Sequence, residues 1–169
     1  MTYFQLFEIP VQLKVDRTAL SKKFFELSRT YHPDFFTNES DEKQAEVLEK
    51  SAILNKAWKT FQSSDATIKY VLMEKGLLEE EEKYELPAAF LMEVMDINEQ
   101  LMDADNAEAT KSIQQTIDNL QSEIYEPVAK NVEEYKEGET TEAELLQVKD
   151  YYYKKKYLDR IRKQLAGMT

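Results

Sequence analysis

The sequence predicts an all-α protein: a small N-terminal helical hairpin with a short leading helix, followed by a C-terminal antiparallel three-helix bundle. Two observations carry that class. Three Gly and four Pro in 169 residues leave little of the turn chemistry a strand-rich fold needs, while abundant Glu, Lys, Leu, Ala and Gln favour long helices. Apolar residues also recur at the three- and four-residue intervals of a helix. A hydrophobic content of 42% is ample for a packed core at this length.

Taken in order, Tyr3 to Ile9 is a short apolar turn of helix closed by Pro10, which cannot continue a helix and biases Ile9 away from helical angles. Asp16 offers an N-cap to the next segment. There Leu20, Phe24, Leu27 and Tyr31 share an arc of about 60° and face the core. Lys22 and Arg29 fall on the opposite side, with Thr18 and Glu26 close by. Pro33 stops this helix near Tyr31, so His32 to Ser40 is a loop. A third helix runs from Asp41 to Gln62, capped by Ser40 or Asn38. Val47, Ser51, Leu54, Trp58 and Phe61 form one stripe on it, and Ala45, Leu48 and Ala52 a second. Apolar on two sides, it is expected to be wedged between neighbours. The loop is then held between two antiparallel helices.

The boundary falls at Gly76 to Pro87, which joins a Gly helix stop, a self-repelling run of Glu and a Pro suited to a first helical turn. The expected organisation is 1–75, a solvated acidic connector over 76–86, and a bundle over 87–169. Residues 87–104 read as a helix with Phe90, Val94, Ile97 and Leu101 on one stripe. Leu91, Met95 and Met102 widen its apolar arc to about 160°, with Met92 and Glu99 just beyond, whereas a single core face needs about 100°. Something beyond the bundle core is expected to cover the surplus. The next helix, Ala107 to Tyr135, carries Ile113, Ile117, Leu120 and Ile124 and is kinked at Pro127. Gly138 marks a turn, and Thr141 with Glu144 fits a capping box. The last helix presents Leu145, Val148, Tyr151, Tyr152, Leu158, Ile161 and Leu165. The tyrosine run 151–153 reads as core edge, and Lys154, Lys155 and Lys156 as a solvated face.

Charge and composition then exclude several functions. With 22 Lys plus Arg against 33 Asp plus Glu, the net charge is −11, which argues against nucleic-acid binding. The excess is uneven: eleven basic and eleven acidic residues lie up to Gly76, and eleven against twenty-two beyond it. Residues 11–31 are locally basic. The absence of Cys and the single histidine, His32, remove disulfides, Cys-ligated metals, thiol nucleophiles and multi-histidine sites, so neither metal nor cofactor is expected. No run of about 18 apolar residues and no secretory leader pattern occurs, so no membrane contact is expected. The expected location is a bacterial cytoplasm, a processed mitochondrial matrix protein being the alternative. An acid–base pair of His32 and Asp34 is set aside, because i, i+2 residues on an exposed loop offer neither a pocket nor converging polar groups.

Tyr31-His32-Pro33-Asp34, between a helix with a basic outer face and a helix bearing Asn55-Lys56-Ala57-Trp58, resembles a J-domain, and Tyr3-Phe4-Gln5-Leu6-Phe7 resembles that family's first helix. The resemblance implies a non-enzymatic co-chaperone that stimulates the ATPase of a DnaK-type chaperone. Lys22 and Arg29 would contact the partner's acidic surface, and His32, Pro33 and Asp34 would trigger hydrolysis. Phe35 departs from the family, which usually places Lys or Arg there. Ala89-Phe90-Leu91-Met92-Glu93, Tyr157-Leu158-Asp159-Arg160-Ile161 and the helix spacing resemble the HscB type of co-chaperone over nearly the whole chain. That resemblance implies delivery of an IscU-type iron–sulfur scaffold to a DnaK/HscA-type chaperone. The implied scaffold-facing residues are Leu91, Met92, Met95, Asp96, Glu99, Asp103 and Tyr157. A different client on the bundle is the alternative, and the oligomeric state stays open between monomer and weak dimer.

Overall fold

The computed structural model describes residues 1–167, and among them it contains helices and turns but no strand. Helix α1 (Tyr3–Leu6) opens with a capping box in which Thr2 and Gln5 satisfy each other's backbone amides. The Asp16 carboxylate accepts from the amides of Thr18 and Ala19 to start α2 (Arg17–Thr30). A 3-10 turn (Pro33–Phe36) follows. Ser40, not Asn38, caps α3 (Asp41–Phe61), whose first-turn Asp41 and Glu42 complement the helix dipole.

A helix not expected from the sequence comes next, α4 (Ser64–Glu74), N-capped by the Ser63 hydroxyl and ended by Gly76 at φ +73°. Only Gln62 and Ser63 separate it from α3. The Thr67 hydroxyl, itself buried, donates to the carbonyls of Ser63 and Thr60 at 2.9 and 3.2 Å and so ties the two helices together. The bundle consists of α5 (Ala88–Asp103), α6 (Ala107–Tyr125), a 3-10 turn (Glu126–Val128) at the predicted Pro127 kink, α7 (Ala129–Glu133) and α8 (Glu142–Gly167). Thr141 and Glu144 form the expected capping box, after a turn with Gly138 at φ +83°.

Two apolar cores result. The first centres on Phe61, whose ring lies 5.3 Å from those of Phe4 and Phe7. It also takes in Leu13, Leu20, Leu54, Ile68, Val71 and Leu72. Of the predicted α2 stripe, Leu20 is fully buried, while Phe24, Leu27 and Tyr31 are half-buried, with Phe24 stacked on Trp58 at 4.7 Å. The second core joins Phe90, Val94, Ile97 and Leu101 of α5 to Ile113, Ile117 and Leu120 of α6 and to Leu158, Ile161 and Leu165 of α8. The first core is not confined to the N-terminal helices. Val128, Val132 and Tyr135, with Leu145, Val148, Tyr151 and Tyr152 of α8, complete it.

Three expectations are corrected. The second stripe on α3 is not wedged: Ala45, Leu48 and Ala52 are exposed, because α1, α2 and α4 all pack on the helix's other faces. The connector is not a free solvated strand. Leu78 is buried, Glu80 pairs with Lys69 at 2.8 Å, Glu82 with Lys149 at 2.6 Å, and Tyr84 stacks on Tyr153 at 4.5 Å while donating to Asp150. Lys155 is not on a solvated face either. It donates to Asp65 of α4 at 2.7 Å and to Asp159 at 2.8 Å.

The shared core predicts that loss of Trp58 fluorescence and loss of far-UV helix signal coincide on urea titration. Phe61→Ala, which empties the centre of the ring cluster, should lower stability by about 3–5 kcal/mol without separating the two signals. Acid should release the connector. The Lys149 ammonium holds the Glu82 carboxyl below its ordinary value, so this pair's contribution is present above the unfolded-state carboxylate pKa and is lost as pH falls through the lowered one. Glu82→Gln should therefore cost about 1 kcal/mol or less at neutral pH, and the gap between its urea midpoint and the parent's should narrow as pH falls through the lowered Glu82 pKa and close below it.

Candidate functional site

The loop that the sequence singles out is built from its own first residues. His32 is the N-cap of the 3-10 turn: its Nδ1 accepts from the Asp34 amide at 3.2 Å, and Pro33 occupies the first position of the turn. With Nδ1 occupied as an acceptor, the neutral ring carries its proton on Nε2. The Asp34 carboxylate lies 3.6 Å from the same Nδ1 and is largely exposed. The rigid turn thus presents one carboxylate and one imidazole N–H outward, an arrangement fit to accept a bidentate arginine bond or to donate to a partner backbone. A groove of about 880 Å³ opens elsewhere, among Phe90, Glu123, Leu146, Asp150 and Lys154, and His32 and Asp34 do not line it.

Lys22 and Arg29 lie on the outer face of α2, both exposed and neither in an ion pair among the described residues. Their neighbour Lys23 is committed instead to Glu8 at 2.8 Å. The structure therefore brings His32, Pro33, Asp34, Arg29 and Lys22 together along one arm, with Lys22 roughly 18 Å from Asp34 by helix rise.

On the other arm the buried stripe of α5 is Phe90, Val94, Ile97 and Leu101, and everything opposite it faces outward. Leu91, Met92 and Met95 are 39%, 67% and 61% exposed, and Met102, which the sequence placed in the apolar arc without assigning it to a partner, extends this edge. Among the described residues nothing covers this surplus. Asp96, Glu99 and Asp103 form the acidic edge of the same face, exposed and in no ion pair among the described residues. Tyr157 stands apart from the others. It is half-buried on α8, edge-on to Phe90 at 6.4 Å with the Arg160 guanidinium 5.5 Å from its ring centre, so it borders the α5 surface from behind.

The corner between the arms is held by charge. Lys155 joins Asp65 of α4 to Asp159 of α8 at 2.7 and 2.8 Å, and Arg162 joins Asp159 to Asp118 of α6 by two bonds of 3.0 Å. Burial by itself lowers the Lys155 ammonium, but the bonds from Asp159 and Asp65 reverse this and raise it. Burial, with the Asp65 and Asp159 charges, pushes the Tyr151 phenol up to about 12. Among the described residues no group of three His, Cys, Asp or Glu side chains is arranged to hold a metal ion, and no helix is long and apolar enough to cross a membrane.

Comparison with known proteins bears on both arms. Residues 86–166 match the family model described as the HSCB C-terminal oligomerisation domain. The human co-chaperone protein HscB, known from a crystal structure, superposes with a TM-score of 0.80 at 27% identity, over 98% of this chain and 81% of that one. The chaperone HscB from Vibrio cholerae matches with a TM-score of 0.75 at 23% identity, over 99% of this chain and 97% of that one, a likeness of fold.

Proposed function

We propose, from the premise that this chain is of the HscB co-chaperone type, that it serves iron–sulfur cluster assembly by bringing an IscU-type scaffold protein to a DnaK/HscA-type chaperone and stimulating that chaperone's ATPase. The observation that carries this reading is the pairing, on one continuous fold, of the exposed His-Pro-Asp turn beside exposed Lys22 and Arg29 with the exposed Leu91, Met92 and Met95 face of α5. In this reading the chain contributes no catalytic group. Lys22 and Arg29 attract an acidic partner surface, Pro33 keeps the turn preformed, and the Asp34 carboxylate engages a cationic group in the partner whose position governs hydrolysis. The cluster itself is the scaffold's cargo.

The α5 face suits a transient client. Covering Leu91, Met92 and Met95 contributes roughly 1.5–3 kcal/mol each, and most of that is offset by the cost of association and ordering. Flexible thioethers adapt to an irregular partner surface, while Asp96, Glu99 and Asp103 add charge matching along the edge.

The protein alone should hydrolyse no ATP yet accelerate hydrolysis by a matching DnaK-type chaperone in single-turnover assays. Asp34→Asn should reduce that acceleration at least tenfold with an unchanged circular dichroism spectrum, and full acceleration by the variant would refute the assignment of the turn. In a separate pull-down, replacing Leu91, Met92 and Met95 together with Ala should abolish capture of the scaffold while ATPase stimulation in its absence persists. Retained capture would move the scaffold to another surface, and no capture by the parent would favour a different client.

A further inference from the structure

Asp96, Glu99 and Asp103 edge one side of the exposed α5 surface, and a row of opposite charge edges the other. On α8, Lys156, Arg160 and Lys163 recur at i, i+4 and i+7, which confines them to an arc of about 60°. All three are exposed, and none is in an ion pair among the described residues. Their neighbours Lys154, Lys155 and Arg162 are all committed to carboxylates. Tyr157 fixes where the row lies, because its ring meets Phe90 of α5 edge-on and carries the Arg160 guanidinium 5.5 Å from its centre. Helices α5 and α8 both pack on α6 and run in the same direction. Counting helix rise from the Phe90 and Tyr157 contact brings Asp96 level with Lys163, with Glu99 and Arg160 each about 4.5 Å along the axis. Across the face from edge to edge stand carboxylates, then Met92, Met95, Leu91 and Met102, then Tyr157, then cations.

We propose that this face is its own complement: a second copy of the chain covers it in a two-fold dimer, and that dimer and an IscU-type scaffold exclude one another. The exclusion rests on the reading of the α5 face given above, whereas the self-contact does not. A face ordered acid, apolar, base pairs with itself in one way. A two-fold axis parallel to the helices, lying between the copies, sets the carboxylates of each against the cations of the other and thioethers against thioethers. An axis across the helices would set carboxylate on carboxylate, which repels. Repulsion between two chains of net charge −11 is screened beyond about 8 Å at physiological salt, so the facing rows decide the approach. The contact is small. Sixteen residues of α5 give a length of about 24 Å, and two helix widths give about 20 Å, a footprint of roughly 500 Å² against the about 800 Å² per partner of a standard interface. The dimer is therefore weak and reversible. It covers the methionines while no scaffold is present, and scaffold dissolves it by drawing monomer away.

The full-length protein is followed by sedimentation equilibrium from micromolar to millimolar concentration, where the parent should pass reversibly from monomer to dimer. Lys163→Glu and Asp96→Lys should each raise the dimer dissociation constant about tenfold, because each variant paired with itself repeats a like-charge contact twice. An equimolar mixture of the two variants should dimerise as tightly as the parent, since each supplies the charge the other lacks. Both variants should keep the parent's circular dichroism spectrum and urea midpoint. A parent that stays monomeric at millimolar concentration overturns the self-contact, and so does a mixture that associates no more tightly than either variant alone. Saturating IscU-type scaffold should then convert the parent dimer into one-to-one complexes. Scaffold bound to an intact dimer refutes the exclusion. Failure of the scaffold to bind either species removes the reading of the α5 face and the exclusion with it, and it is told apart because the parent dimer and the mixing result persist.

Discussion

One helix belongs to both cores, and the arrangement of everything else follows from that. Leu145, Val148, Tyr151 and Tyr152 of α8 complete the N-terminal core, and Leu158, Ile161 and Leu165 of the same helix complete the bundle. With 26 residues α8 is about 39 Å long, and it carries no Pro or internal Gly at which it would kink. Where it passes from one core to the other, Lys155 fastens it to Asp65 and Arg162 fastens it to Asp118. Removing either cation would leave carboxylates facing each other in a partly desolvated corner, which is costly. The arms are therefore parts of one body, and the turn at His32 keeps a fixed relation to the α5 face.

The negative charge of the molecule is spent unevenly across that body. Glu80, Glu82, Asp150 and Asp159 are each paired with a lysine across the connector and α8, so these four carboxylates are committed to internal structure. Asp96, Glu99 and Asp103 on α5, and Lys22, Arg29, Lys56 and Lys59 on the hairpin, have no such partners among the described residues. Uncommitted charge of opposite sign is thus displayed on the two arms. Such charge acts mainly on association rate and on partner choice, and its reach is about 8 Å at physiological salt.

Local chemistry was legible in the sequence and distant contact was not. The caps at Asp16, Ser40 and Thr141, the break at Pro127 and the turn at His32 depend on residues within four positions of one another. Helix α4 escaped because only Gln62 and Ser63 separate it from α3, and neither is Gly or Pro. The Glu run of the connector reads locally as self-repulsion, but Lys69 and Lys149 lie eleven and sixty-seven residues from Glu80 and Glu82. Periodicity counts apolar faces and not the neighbours available to cover them, so α3 reads as wedged although one of its faces is bare. On α5 the same counting finds more apolar surface than one core face needs, and Leu91, Met92, Met95 and Met102 are exposed there, although Met102 was not assigned a role.

Weak contacts suffice for the proposed work because of this rigidity. A scaffold held on α5 and a chaperone held at the turn meet as parts of one assembly, so their encounter depends on an effective concentration set by α8 and not on bulk concentration. A flexible linker would spread that concentration over many geometries. A pinned connector and an ion-paired corner confine it to few, and the entropy of orienting the arms is already lost in folding. Each surface can then remain modest in affinity, releasing its partner after a cycle, while the pair is still presented in register.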